Sequence, residues 1–188
     1  MKRMLESLYS DHRSIVVVLD AMQHLVRRHA PGSAASDLRA LRALLYYLDV
    51  YPERHHHPRE EICLFPAIRA RTHDADEALE QLARQHAGGE AAIRNLEQLL
   101  LRYQEGGEPE WPAFAVAVDA FLRHYDAHMR LEEDVVMPIA ERVIDVQSWH
   151  EIEADFNTRT DPLAAVDAGM LMQHVLAMLP PPLGHADP

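Results

Sequence analysis

Apolar residues recur along most of the chain at intervals of three and four, the spacing of one face of an α-helix. Four stretches carry such a stripe: residues 5–26, 38–48, 79–103 and 114–139. The segments between them, "APGSAAS", "RTHDADE" and "QEGGEPEWP", are rich in residues that favour turns and caps. Long amphipathic helices with short connections predict an all-α fold, an up-down-up-down four-helix bundle.

The pattern changes after about residue 145. Two shorter segments, "SWHEIEADF" and "DPLAAVDAGMLMQHVLAML", predict two further helices. We therefore divide the chain into a bundle domain, residues 1–145, and a C-terminal helical extension, residues 146–188. We expect this short tail to pack on the bundle or to contact a partner, either a protein or a second copy of the chain.

Polar residues interrupt the four apolar stripes in a regular way. One histidine falls on the apolar face of each predicted helix, the second helix running on past residue 48: His12, His56, His86 and His128. Glu60 and Glu132 follow two of these histidines by one helical turn, on the same faces. A proline then stands six residues after each glutamate, so the chain contains an internal repeat of two helical pairs.

The "HHH" triplet leaves the register of the second helix open. At ~100° per residue, a regular helix places His56 about 20° from Leu45 and His57 about 120° from it. Both halves also share the same spacing from histidine to proline when His56 is chosen. We therefore assign His56 and Glu60 to the core and expect His57 to point away from it. The pair His57 and Glu61 has the same spacing and remains the alternative.

These six side chains together predict a metal site. Two ionised carboxylates in an apolar core would cost several kcal/mol each without a compensating charge, and cations supply that charge. Imidazole suits iron and zinc, and carboxylate suits harder ions. Two carboxylates can bridge two ions, with imidazoles as terminal ligands and an oxo or hydroxo group as a third bridge. Six protein ligands for two ions leave open positions, which favours small-molecule binding over a closed structural site.

Composition excludes several other classes. The formal charge of −12 argues against nucleic-acid and anionic-membrane surfaces. The single cysteine, Cys63, excludes an internal disulfide and a multi-cysteine metal site. We see neither a secretory leader nor a run of apolar residues long enough for a membrane span, so we expect a cytoplasmic protein.

Two other metal motifs do not fit. A ferritin-like di-metal bundle needs Glu-x-x-His on two helices, and this spacing occurs once, as Glu53 and His56. The His-Glu-x-x-His motif of zinc proteases is absent.

The stretches "SDHRSI", "HHHPREEICLFPAI", "RQHAGGE" and "HMRLEEDVVMPIA" resemble the hemerythrin-like HHE cation-binding family over residues 5–143. The resemblance implies a non-haem di-iron centre in which the four histidines are terminal ligands and Glu60 and Glu132 bridge. It favours iron, whereas the ligand set alone also allows zinc or manganese. Family activities include oxygen binding, iron or oxygen sensing, nitric-oxide responses and repair of iron–sulfur clusters.

The chain departs from oxygen-carrying hemerythrins, which use five histidines. Glu90 stands where their third helix has a second histidine, and His124 is an alternative source of a fifth imidazole. We expect a protein that binds or senses dioxygen, nitric oxide or iron itself. The alternative is a di-iron oxidase, peroxidase or iron–sulfur-cluster repair factor with the same site, so the sequence leaves enzymatic activity open.

Overall fold

The computed structural model describes residues 3–32 and 35–158, together with positions 173 and 177. Residues 3–158 form five helical rods and, where described, no strand, which confirms the all-α prediction. The first helix is Arg3–Arg27, the third is Asp76–Gly106 and the fifth is Val146–Thr158. The second begins as Ala35–Leu48 and continues to Arg69, and the fourth begins as Trp111–Leu131 and continues to Val143.

The second and fourth helices contain widened π-helical turns. These turns are Asp49–His56, Glu60–Leu64 and Glu132–Val136. The α-helical segments His57–Arg59, Phe65–Arg69 and Met137–Val143 follow them, and a short 3₁₀ turn, Glu108–Glu110, precedes the fourth helix. All three π turns therefore lie in the two helices that carry the repeated His-x-x-x-Glu motif.

Prolines explain where the π turns end. Each turn ends two residues before a proline, at Pro58, Pro66 or Pro138. A proline has no N–H to donate, and its ring crowds the carbonyl four residues earlier. The N–H of the residue just before each proline instead bonds the carbonyl five residues behind it, as His57 does to Pro52. The repeated proline therefore marks a widened turn beside each glutamate of the motif.

Two apolar clusters fill the bundle, and the polar residues lie between them. Cluster one includes Met22, Leu44 and Phe114, and cluster two includes Leu8 and Phe65. The first and third helices pass from cluster two to cluster one, whereas the second and fourth pass from cluster one to cluster two. This alternation is what the predicted up-down-up-down path requires.

The fifth helix packs against the end of the bundle that holds cluster two. Trp149 is buried within that cluster, and the Met4 N–H donates to Glu153 Oε1 at 3.4 Å. The second helix predicted for the extension, and the partner contact proposed for the tail, lie outside the described residues apart from positions 173 and 177. The domain boundary at residue 145 stays a prediction. Among the described helices, none has the length and apolar character needed to cross a membrane.

Truncating Trp149 tests whether the fifth helix contributes to the fold. We expect Trp149→Ala to lower the free energy of unfolding by about 3–5 kcal/mol, because a large buried aromatic side chain is lost. Val146→Ala is the matched control on the same helix, since Val146 is 76% exposed, and should change stability by less than about 0.5 kcal/mol. Denaturant unfolding measures both. Equal effects of the two substitutions would show that the helix does not pack as described.

Candidate metal centre

All six predicted ligands meet in the polar layer between the two apolar clusters. Each of the four long helices contributes at least one of these ligands. All six side chains are at least nine-tenths buried. They are His12 from the first helix, His56 and Glu60 from the second, His86 from the third, and His128 and Glu132 from the fourth.

One group of possible ligands consists of His12, His56, Glu60 and Glu132, whose ligand atoms lie within 4.8 Å of one another. The Nε2 atoms of His12 and His56 are 3.2 Å apart. His12 Nε2 lies 3.1 Å from Glu132 Oε2, and His56 Nε2 lies 3.6 Å from Glu60 Oε1. Two imidazoles and one oxygen from each carboxylate therefore surround one point.

A second group consists of three imidazoles, those of His57, His86 and His128, again with ligand atoms within 4.8 Å of one another. The other two carboxylate oxygens face this group. His128 Nε2 is 3.3 Å from Glu132 Oε1, and His86 Nε2 is 3.8 Å from Glu60 Oε2. Each carboxylate thus directs one oxygen to each group of histidines.

The expectation that His57 points away from the core is wrong. Its side chain is buried and its ring stacks on that of His86, with centroids 4.0 Å apart. His57 follows directly on the π turn Asp49–His56, whose hydrogen bonds span five residues, so a constant step of ~100° per residue does not apply. His57 therefore joins His56 in the core and does not replace it. Glu61 stays near the surface, and Glu60 keeps the position predicted for it.

The other two candidate ligands lie outside the cluster. Glu90 is exposed and accepts a hydrogen bond from Arg94 at 2.9 Å. His124 is also exposed. The fifth imidazole of the site therefore comes from the second helix, through His57.

Four of the imidazoles are held by a hydrogen bond at Nδ1 from a neighbouring helix. The pairs are His12 with Glu133 at 2.7 Å, His56 with Asp11 at 3.3 Å, His86 with Glu61 at 2.8 Å, and His128 with Gln85 at 2.9 Å. All four partner atoms are side-chain oxygens that only accept, so each Nδ1–H donates. The Nε2 lone pairs then face the interior, which is the arrangement of metal-bound histidines.

Sequence reasoning did not single out Asp11, Gln85 and Glu133 as part of the site, and it named Glu61 only as an alternative ligand with His57. Each one, however, directly precedes or follows a candidate ligand in the chain: Asp11 beside His12, Gln85 beside His86, Glu61 beside Glu60, and Glu133 beside Glu132. A polar residue adjacent to His12, His86, Glu60 and Glu132 was therefore the available signal. Its meaning depends on which helices are neighbours, and the sequence pattern alone does not supply that.

The fifth imidazole, His57, has its Nδ1 beside a residue of its own helix and not of a neighbouring one. Its Nδ1 lies 3.4 Å from Glu53 Oε2, and Glu53 Oε1 accepts a hydrogen bond from the Tyr125 hydroxyl at 2.8 Å. Glu53 fills the space directly over Gly89. A Cβ atom at position 89 would come within 2.0 Å of Glu53 Oε2. A side chain at this position would therefore force the buried Glu53 carboxylate to move away from His57 and Tyr125.

Several buried ligand-type atoms have no hydrogen-bond partner within the described residues. They are both carboxylate oxygens of Glu60 and of Glu132, and the Nε2 atoms of His57, His86 and His128. An unpartnered buried polar group costs about 1–3 kcal/mol. The Nε2 atoms of His12 and His56 face each other beside these oxygens, 3.2 Å apart. Cations would relieve all of these costs at once, so the donor set fits a metal.

Burial also sets the protonation states of the site. It lowers the pKa of His56 to about 4 and that of His128 to about 3, so both rings are neutral near pH 7 and their lone pairs are free to bind a metal. Burial and the charge of Glu132 raise the pKa of Glu60 well above its usual range. Burial opposes ionisation of Glu132 too, but its contacts with His128 and with His12, whose own pKa Glu132 raises, hold the pKa of Glu132 well below the usual value.

Alanine substitutions along the histidine triplet test the assignment of His57. We expect His56→Ala and His57→Ala each to lower the metal content per chain, because each removes one imidazole from one group of ligands. His55→Ala is the control, since His55 belongs to neither group and should leave the metal content unchanged. Elemental analysis of the purified variants measures this. Full metal content in His57→Ala would return the site to the four predicted histidines.

The adjacent glycines 88 and 89 offer a second matched test. Gly89→Ala should lower the free energy of unfolding by about 1–3 kcal/mol, because its new methyl group collides with Glu53. A Cβ at Gly88 meets nothing within 4 Å, so Gly88→Ala should raise stability by about 0.5–1 kcal/mol. Denaturant unfolding measures both changes. A neutral Gly89→Ala would mean that Glu53 does not lie over this glycine.

One of three comparisons with known proteins identifies a family. Residues 3–140 match the family model described as hemerythrin HHE cation binding domain. No curated protein and no solved structure matches the chain. The matched region covers most of the chain and includes every member of the two histidine groups and both carboxylates. The chain therefore belongs to the hemerythrin HHE cation-binding family.

Proposed function

We propose that the chain is a non-haem di-iron protein that binds or senses a small molecule such as dioxygen or nitric oxide. One observation carries the proposal: Glu60 and Glu132 each direct one oxygen to the group of His12 and His56 and the other oxygen to the group of three imidazoles. Carboxylates placed in this way suit two cations, one beside each group of histidines. A di-iron pair would supply redox chemistry and coordination of small ligands.

The two groups differ in the number of protein ligands they offer. The group with His12 and His56 provides two imidazole nitrogens and two carboxylate oxygens, whereas the other group adds a third imidazole. We infer that an external ligand enters on the side of His12 and His56, where fewer protein atoms fill the coordination sphere. Asp11 and Glu133 hold these two imidazoles from outside, so their Nε2 atoms stay directed inward when that ligand changes.

The apolar clusters above and below the polar layer support binding over turnover. They limit access of water to the carboxylates and strengthen electrostatic interactions inside the layer. Three acidic side chains beside the centre, Glu133, Asp11 and Glu61, are engaged in holding imidazoles. This favours a site built to retain its metals and to admit a small ligand.

Metal content and visible spectra test this function. We expect two irons per chain, an oxo-bridge charge-transfer band in the oxidised protein, and a spectral change when nitric oxide or dioxygen reaches the reduced protein. His56→Ala should lose iron and the spectral change, whereas the exposed His73→Ala, at 92% side-chain exposure, should keep both.

Three results would contradict the proposal in different ways. One zinc per chain without colour would indicate a structural site. Full iron content without any response to either gas would exclude small-molecule binding at this centre. Rapid consumption of peroxide, lost in His56→Ala, would instead support the enzymatic alternative.

A further inference from the structure

A cavity of about 490 Å³ opens between the third and fourth helices. Its inner end reaches Glu53, His57 and Tyr125, and the exposed Gly88 is among the residues of its outer rim. The volume falls in the range of about 300–1,000 Å³ typical of pockets for small organic ligands. It far exceeds the ~30 Å³ that a water molecule occupies, so a diatomic gas does not account for its size.

The walls and the inner end of the cavity differ in chemistry. Ala92, Leu96, Ala117 and Phe121 provide apolar wall surface from both helices. This surface suits the apolar body of a ligand, because pockets of this kind bind mainly through apolar contact. Polar side chains on the outer rim face solvent and leave this inner surface apolar.

Polar groups at the inner end have unused hydrogen-bonding capacity. Glu53 is 8% exposed, and its Oε1 accepts the Tyr125 hydroxyl. Its Oε2 has His57 Nδ1 at 3.4 Å, and that nitrogen makes no hydrogen bond within the described part of the chain. A carboxylate oxygen accepts more than one hydrogen bond. Glu53 Oε2 is therefore available to a donor that enters from the cavity.

We propose that this cavity binds a small neutral organic molecule with an apolar body and a single hydroxyl group, and that the hydroxyl donates to Glu53 Oε2. Such a molecule contacts the rings of His57 and His128, which line the cavity, without becoming a metal ligand. The site is thus distinct in ligand class from the proposed gas-binding centre. The inference rests on the proposed function only because bound metal fixes His57 in place.

Gly88 provides a way to close the cavity without disturbing the core. A Cβ at this position meets nothing within 4 Å, so the position tolerates a side chain. Gly88→Phe places a ring at the opening, whereas Gly88→Ala makes the same change to the backbone and leaves the opening free. The two variants form a matched pair for ligand binding.

Calorimetric titration of the metal-loaded full chain with 4-ethylphenol and 4-ethylanisole tests the inference. The two probes share an apolar body, but only the phenol donates a hydrogen bond. We expect 4-ethylphenol to bind about tenfold tighter or more, the ratio for a hydrogen bond to a charged acceptor. Gly88→Phe should weaken phenol binding by about tenfold or more, and Gly88→Ala should leave it within about twofold.

Iron content and visible spectrum are measured on the same samples. Absence of saturable phenol binding, equal affinity for both probes, or unchanged binding in Gly88→Phe would each overturn the inference. A new phenolate-to-iron charge-transfer band would also overturn it, because the probe would then lie on the metal. Loss of cavity binding with two irons present leaves the proposed function intact, whereas absence of iron counts against that function alone.

Discussion

The structure depends on two carboxylates placed at the centre of a helical bundle, between two apolar clusters. Glu60 and Glu132 are each 1% exposed, and none of their oxygens has a hydrogen-bond partner among the described residues. Such groups are costly to bury unless they are protonated or positive charge compensates them. The five surrounding imidazoles supply lone pairs in place of that charge. We therefore expect cations to complete the core, so that folding and metal binding are thermodynamically linked in this chain.

The hydrogen bonds at Nδ1 form a closed circuit around the bundle. The first helix holds an imidazole of the second, the second holds one of the third, the third holds one of the fourth, and the fourth holds one of the first. Each helix thus contributes one imidazole to this circuit and fixes an imidazole of the neighbouring helix. The orientation of every imidazole in the circuit depends on the packing of two helices. A change in the packing of either helix would therefore change the orientation of a metal ligand.

The sequence predicted the helices and the six central side chains because apolar periodicity and the duplicated motif both report on helix faces. It misplaced His57 because a regular helix was assumed through a segment with two prolines. Pro58 stands two residues after His56, as Pro66 and Pro138 stand two residues after the other π turns, so the widened turn had a local signal. Gly89 had no such local signal in the sequence. The need for a glycine there arises from contact with Glu53 of another helix, which only the packed structure shows.

His56 and His57 are consecutive residues, yet they serve different groups of ligands. Their α-carbons are separated by a single peptide unit, about 3.8 Å. In the proposed di-iron centre, a shift of that unit at one ion would therefore move an imidazole of the other ion as well. The main chain would then couple the two ions mechanically, in parallel with the carboxylates.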